Sequence, residues 1–327
     1  MSEQQKILAI VGPTGGGKSA LALALAKQHG GEIISCDSMQ IYRRMDVGTA
    51  KPTLEEQGEV PHRMIDIVEP HEPFSCADYV ARAEGEIAAC AERGHLPIVC
   101  GGTGLYLDAL LRKNDFEPDT TDATVRSELA AYAEQYGAEA LYRELMRIDP
   151  ESAAATHPNN VKRVIRAIEI YRTCGITKTE LDRRSREGGM RYDATVIGLR
   201  YGDRELLYRR IDRRVDQMLE MGLEQETREL LAEGVFDVNQ TAAQAIGYKE
   251  LLPYLRGETS LDSAVECLKM ATRRYAKRQM TWFSAKPYVQ WIDMTESRDA
   301  KSVEKTFEEI VNNANALFQK SEKCDII

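Results

Sequence analysis

Ile7-Leu8-Ala9-Ile10-Val11-Gly12-Pro13-Thr14-Gly15-Gly16-Gly17-Lys18-Ser19 is an apolar run that breaks into glycine and ends on a lysine and a hydroxyl. Its first five residues are short and wholly apolar, the pattern of a strand buried on both faces. The segment that follows, Lys18–Gln28, is rich in Ala and Leu and predicts a helix. Between the two, Gly12–Ser19 fits G-x-x-x-x-G-K-[ST] in the strand-to-helix setting which that pattern requires. Glycines let backbone N–H groups turn inward around phosphate oxygens, and the helix N-terminus adds partial positive charge. Lys18 supplies a full charge, and the Ser19 hydroxyl is a candidate Mg²⁺ ligand. The stretch Gly12, Pro13, Thr14, Gly15, Gly16, Gly17, Lys18, Ser19 is therefore read as a cradle for the end of a phosphate chain, ATP or some other diphosphate, with Thr14 inside it. The pattern alone does not name its ligand. Most such loops serve nucleotides, so an ATP-binding kinase or ATPase is the first reading.

Further along, Glu32–Ser35 reads as a second strand. Ser75 is a predicted N-cap for a helix that runs to about Arg93 and stops at Gly94. Pro97–Cys100 is a third strand, followed by Gly101-Gly102-Thr103-Gly104 and another helix. Strands alternating with helices predict an α/β fold, a P-loop NTPase-like parallel sheet flanked by helices. From Asp122 to about Arg186 the chain is polar and helical, without a convincing strand, until Thr195–Tyr201 returns as one. This divides the chain into a first part of the core (1–114), an all-helical insertion (115–192), and a second part of the core (193–327). The last part is expected to hold helices at Arg204–Met221, Glu224–Ala232, Ala243–Leu255 and Asp262–Ala285, a strand at Tyr288–Ile292, and a terminal helix. Gly247 is placed in the middle of its helix, where it would cost about 1 kcal/mol against alanine.

The 327 residues, 43% hydrophobic and 29% charged, have the composition of a folded globular chain. No apolar run approaches the ~18 residues of a membrane span, and the polar start leads into too short a run for a signal peptide. Seven cysteines, an odd number without a C-x-x-C pair, argue against a disulfide framework and against a zinc site. A cytoplasmic protein with reduced thiols is expected. The net charge of −9 speaks against nucleic-acid binding, but the average hides local stripes. Lys162–Arg191 holds nine Lys/Arg against four Asp/Glu, and Lys269–Lys286 holds six with no acid. Such stripes suit a polyanion. In the second, Arg273, Arg274, Lys277 and Arg278 recur at helical spacing, which predicts a cationic face.

Ligands of an open parallel sheet bind outside the carboxyl ends of its strands. The cradle leaves the first strand there, Asp37-Ser38-Met39-Gln40 the second, and Gly101–Gly104 the third. Asp37 is thus placed near the phosphate site, where it could hold Mg²⁺, accept a proton, or cap a helix start. Thr103 is a candidate phosphate donor, and Arg214 a further candidate phosphate contact. His62, His71 and His157 lack partners at ligand spacing and are read as structural.

Eight segments occur in a telling order. They are Gly12–Ser19, Asp37-Ser38-Met39-Gln40-Ile41-Tyr42, Met45–Pro52, Pro61–Asp66, Gly101–Tyr106, His157-Pro158-Asn159-Asn160, Ala245–Glu250 and Arg274–Phe283. The set resembles the tRNA dimethylallyltransferase (tRNA isopentenyltransferase) family over about residues 7–285. The chain departs from that pattern at Gly15-Gly16 and Ser19, which keep the chemistry, and at Ser284, where the family usually has Arg. The resemblance implies transfer of a dimethylallyl group from dimethylallyl diphosphate to the exocyclic amine of the adenosine 3′-adjacent to the anticodon. It implies Mg²⁺ as cofactor, Asp37 as the group that accepts the amine proton, and Thr103 as a second active-site contact. Asp37, Ser38, Met39, Gln40 and Thr103 are then tRNA contacts beside the extruded base, with Gln40 offering donor and acceptor to base edges. Arg126 and the run Lys162, Arg163, Val164, Ile165, Arg166 match positions of the family that touch the tRNA anticodon stem-loop. The chain is expected to act as a monomer with no membrane partner. The alternative is a P-loop kinase of a small metabolite.

Overall fold

The computed structural model describes residues 4–113 and 122–294, together with positions 309, 312–316, 318 and 319. Six strands form one sheet: β1 (Lys6–Val11), β2 (Gly31–Ser35), β3 (His62–Arg63), β4 (Leu96–Gly101), β5 (Asp193–Tyr201) and β6 (Val289–Met294). Their order across the sheet is β3-β2-β4-β1-β5-β6, and every pairing is parallel. β1 lies at the centre, with Leu8 opposite Ile98 of β4 and Thr195 of β5. This explains its unbroken apolar run: a central parallel strand is covered on both faces and has no wet side to mark with polar residues. The Lys18–His29 helix buries Leu21 and Leu25 against Leu8, Ile10, Ile98, Ile197 and Leu199. Burying each such leucine stabilises the fold by about 2 kcal/mol. Ala314 and Phe318 join the same cluster. Most of the expected terminal helix, like Cys324 and the expected junction at 114/115, lies outside the described residues.

Two compact units divide the chain, one of residues up to Leu111 and from Tyr192 onward, the other Arg112–Arg191. The second is helical, built from Ala123–Tyr136, Ala138–Ile148, Pro150–Ala154, Val161–Cys174 and Lys178–Glu187. Asp122, Asn160 and Thr177 cap three of these helices through their side chains. Its core is Leu129, Leu141, Leu145, Val164 and Ile168.

Element boundaries agree with the sequence reading to within two residues for the longer strands and helices, with two exceptions. β3, a two-residue edge strand set by Ile33 opposite His62, has too little sequence to show a period. Ala243–Leu255 is not one helix: a 3₁₀ turn spans Ala242–Gln244 and an α-helix spans Tyr248–Leu255. Gly247, at φ 111°, stands at the N-cap between them. The glycine supplies a left-handed backbone for a helix start, not a break inside a helix. No helix among the described residues is long and apolar enough to cross a membrane, and the six described cysteines are free.

Candidate active site

The loops leaving β1, β2 and β4 converge at the carboxyl edge of the sheet. Gly17, at φ 90°, ends the first loop and caps the Lys18–His29 helix. An L side chain there would be strained, which is why the pattern demands glycine. The Lys18 ammonium donates to the Pro13 carbonyl (2.8 Å) and so reaches back across the loop. Tyr201 donates to the Gly16 carbonyl (3.3 Å) and Arg210 Nε to the Gly15 carbonyl (3.1 Å), fastening the loop to the second part of the core. A cavity of about 360 Å³ opens here, lined by Gly15–Ala20 and by Arg210, Arg213, Arg214 and Gln217. Burial pushes the Lys18 ammonium down to about 8, with the Arg214 charge adding to it and Asp37 opposing it. Burial likewise lowers the Arg214 guanidinium, again opposed by Asp37. An anion that entered would favour the charged form of both.

Asp37 follows β2. Its position is set by two backbone bonds to the β4 loop: Cys36 N–H donates to the Cys100 carbonyl (2.8 Å), and Thr103 N–H to the Cys36 carbonyl (3.1 Å). Asp37 Oδ1 accepts from Met39 N–H (2.9 Å); a turn and not a helix follows it, so this oxygen closes a turn and does not cap a helix start. Thr103 Oγ1 accepts from Ser38 N–H (3.0 Å) and binds the Asp37 turn to the β4 loop. A second cavity, of about 220 Å³, is lined by Thr14, Asp37, Ser38, Met39, Arg214, Tyr275 and Arg278 among others. Arg214 borders both cavities. The structure therefore brings Asp37, Thr14 and Arg214 to one place, with Thr103 directly behind.

The donor set at the cradle is sparse. Ser19 is exposed at the cradle, and no group of three or more His, Cys, Asp or Glu among the described residues could hold a metal. A hard octahedral cation that keeps most of its waters and takes its other oxygens from a diphosphate fits such a sparse set, with Ser19 as the protein ligand.

Some sequence-predicted contacts need correction. Both amide hydrogens of Gln40 are committed to the carbonyls of Thr49 and Ala50 (3.2 Å each), and its Oε1 accepts from Ser35 (2.8 Å). Gln40 braces the wall of the cavity, with its donors and its acceptor engaged within the protein. Val164 and Ile165 are buried in the helical unit, so their side chains cannot meet RNA. Arg126 and Arg166 both pair with the fully buried Glu169. Lys162 and Arg163 are exposed and have no acidic partner among the described residues. Half of the basic stripe at Lys269–Lys286 is answered: Lys269 pairs with Asp216, Arg273 with Asp212 and Lys286 with Asp108. Arg274, Lys277 and Arg278 stay exposed.

Two residues given no role from sequence shape the site. Glu226 accepts from the backbone N–H groups of Asp46, Val47 and Gly48 (2.8–3.0 Å) and from the Tyr248 hydroxyl (2.7 Å), holding the turn that carries Gly48 and Thr49 into the second cavity. Gln279 is buried and bridges the cradle to the β4 loop: its Oε1 accepts from Thr14 N–H (2.8 Å) and its Nε2 donates to the Gly102 carbonyl (3.0 Å). The available signal was one neutral amide inside a cationic run.

A family model described as IPP transferase matches residues 40–286, and one described as isopentenyl transferase matches residues 5–66. The chain is 49% identical to a tRNA dimethylallyltransferase of Geobacillus thermodenitrificans over 93% of its own length and 95% of that protein. Among solved structures, it is 44% identical to a full-length tRNA isopentenylpyrophosphate transferase of Bacillus halodurans, with TM-score 0.71, covering 99% of this chain and 100% of that one. A eukaryotic dimethylallyltransferase acting on tRNA is 31% identical, with TM-score 0.76 over 89% and 74%. The cradle, the carboxylate beside it and the full-length likeness agree: the chain belongs to the IPP transferase family of tRNA dimethylallyltransferases.

Proposed function

We propose that this chain, a cytoplasmic monomer, transfers a dimethylallyl group from dimethylallyl diphosphate to the exocyclic amine of the adenosine 3′-adjacent to the anticodon in tRNA, releasing diphosphate. The observation that carries this reading is the meeting of two cavities at Arg214, one lined by cradle N–H groups and cations, the other holding Asp37. The diphosphate lies in the first and the adenine and allyl group in the second. The C1–O bond of the donor breaks with its electron pair leaving on the diphosphate. Lys18, Arg214 and the cradle N–H groups stabilise that charge as it develops. Mg²⁺ held at Ser19 would supply further positive charge to the same oxygens.

The adenine amine is a weak nucleophile because its lone pair is delocalised into the ring. Its nitrogen forms the new bond to C1, and the displaced proton passes to the Asp37 carboxylate. Thr103 positions Asp37 through Ser38, and Met39 and Tyr275 line the cavity where the base sits. A stacked base cannot reach this depth, so the target adenosine is extruded from the anticodon loop. Lys162 and Arg163, exposed on the helical unit, are assigned to the RNA backbone, together with Arg126 and Arg166 to the extent that Glu169 leaves them charge. A P-loop kinase of a small metabolite would explain the cradle but not the likeness across the whole chain to tRNA-modifying relatives.

The test is incubation with unmodified tRNA, Mg²⁺ and dimethylallyl diphosphate, then mass spectrometry of the nucleosides. An adenosine heavier by a five-carbon group is expected. Tight ATP binding without affinity for dimethylallyl diphosphate would return the chain to the kinases.

A further inference from the structure

Gln279 lies on the Leu261–Ser284 helix and is 5% exposed, beside the exposed Lys277 and Arg278. Its amide is used at both ends. Oε1 takes the N–H of Thr14, inside the cradle, and Nε2 gives to the carbonyl of Gly102, the residue before Thr103. The seat is tight: a Cβ on Gly102 would lie 2.0 Å from Nε2. From Thr103 the connection continues through its hydroxyl to Ser38 N–H, next to Asp37. One side chain thus joins the loop that grips the leaving group to the turn that carries the carboxylate, and Thr14 and Asp37 line the same cavity.

We propose that Gln279 is a positioning residue for the transfer reaction, holding the Asp37–Thr103 side of the site in register with the diphosphate cradle through its paired bonds to Thr14 and Gly102. The inference rests on the transfer activity proposed above. Bond formation at C1 requires the amine and the leaving oxygen to be aligned at close range, and an error of about 1 Å costs roughly a hundredfold in rate. The cradle and the Asp37 turn leave different strands, so a shared reference is needed. A primary amide supplies it because it can accept at one end and donate at the other.

Gln279→Glu and Gln279→Leu separate this role from simple packing. The carboxylate that Gln279→Glu introduces, when ionised, accepts from Thr14 but repels the Gly102 carbonyl. Its protonated form restores both bonds, the hydroxyl donating to Gly102 and the carbonyl oxygen accepting from Thr14. The ratio of kcat in Gln279→Glu to kcat in the unaltered protein, taken at each pH from about 8 down to about 5.5, should therefore climb by up to about tenfold per pH unit. Gln279→Leu should lose about a hundredfold in kcat at every pH, with KM for tRNA changed by less than about threefold. In a Thr103→Ala background, which removes the hydroxyl link to Ser38 N–H but keeps the backbone bonds at Cys36, the loss caused by Gln279→Glu should shrink, because one of the links to Asp37 is already missing. A ratio that stays flat with pH, or losses that multiply independently of Thr103, would overturn the role. If Gln279→Leu fails to fold, the Gln279→Glu ratio decides alone. Absence of five-carbon transfer by the unaltered protein in the same assay would instead overturn the activity, a result distinct from normal transfer with a flat ratio.

Discussion

Asp37 uses one carboxylate oxygen to hold its own turn, through Met39 N–H, and Oδ2 makes no hydrogen bond among the described residues. That division leaves Oδ2 for the proton acceptance proposed above while Oδ1 closes the turn. Asp37→Ala should lower kcat by about a thousandfold while tRNA binding stays within about threefold, read by single-turnover transfer and by filter binding. Undiminished transfer would remove Asp37 from the chemistry. Lys18 makes a different prediction. Its ammonium is pushed from 10.5 down to about 8 by burial, so in the free protein it is charged below about pH 8 and neutral above it. A diphosphate needs the charged form. Diphosphate affinity should hold up to about pH 8 and then fall by up to about tenfold per pH unit, with proton uptake on binding. Calorimetry in two buffers of different ionisation enthalpy measures that uptake. Lys18→Arg, which keeps its charge, should remove the alkaline loss.

The segment from Arg44 to Asp66 is where the fold stores backbone strain. The four non-glycine residues with positive φ among those described, Arg44 (63°), Ala50 (49°), Met64 (62°) and Asp66 (55°), all fall in it. Each such residue costs of order 1 kcal/mol or more and persists only where surrounding bonds over-determine it. Here they do. Lys51, 5% exposed, donates to the Tyr42 carbonyl and Asp46 (2.6 Å each) and to Asp66 (2.5 Å), while Glu226 collects three successive backbone N–H groups. The result is a rigid wall that carries Gly48 and Thr49 into the cavity. Glu226→Ala strands those N–H groups and should cost about 3 kcal/mol, with a loss of transfer of tenfold or more. Tyr248→Phe removes a single bond to the same carboxylate and should cost about 1 kcal/mol. Thermal unfolding of both variants checks the order; equal losses would mean that Glu226 is not the anchor.

A chain of net charge −9 binds a polyanion only where its cations are gathered and unanswered. Several of the basic positions noticed along the chain are answered: Lys269, Arg273 and Lys286 by aspartates, Arg126 and Arg166 by the buried Glu169. Lys162 and Arg163 are exposed without such a partner among the described residues. Changing each to Ala should weaken tRNA binding and reduce the slope of log K against log salt by about 0.7–0.9. An unaltered slope would take them off the RNA. Arg126→Ala should behave differently, because it leaves part of the charge on Glu169 without its partner and so lowers the stability of the helical unit.

Local chemistry could be read from the chain without coordinates. The cradle at Gly12–Ser19, the parallel α/β alternation, the helical insertion and the placement of Asp37 and Thr103 at one sheet edge follow from patterns spanning a few residues. So, in principle, did the burial of Val164 and Ile165, whose helical spacing with Ile168 already marks an apolar face. The partners of Gln40, Glu226 and Gln279 were not legible. The bond from Thr14 to Gln279 spans 265 positions and the bonds to Glu226 nearly 180, and no local period encodes such a meeting. A side chain's type states which bonds it can make. Which groups lie within 3 Å of it is decided when segments pack, and that packing gave Glu226 and Gln279, across long separations, and Gln40, across a turn of ten positions or fewer, bracing roles inside the protein.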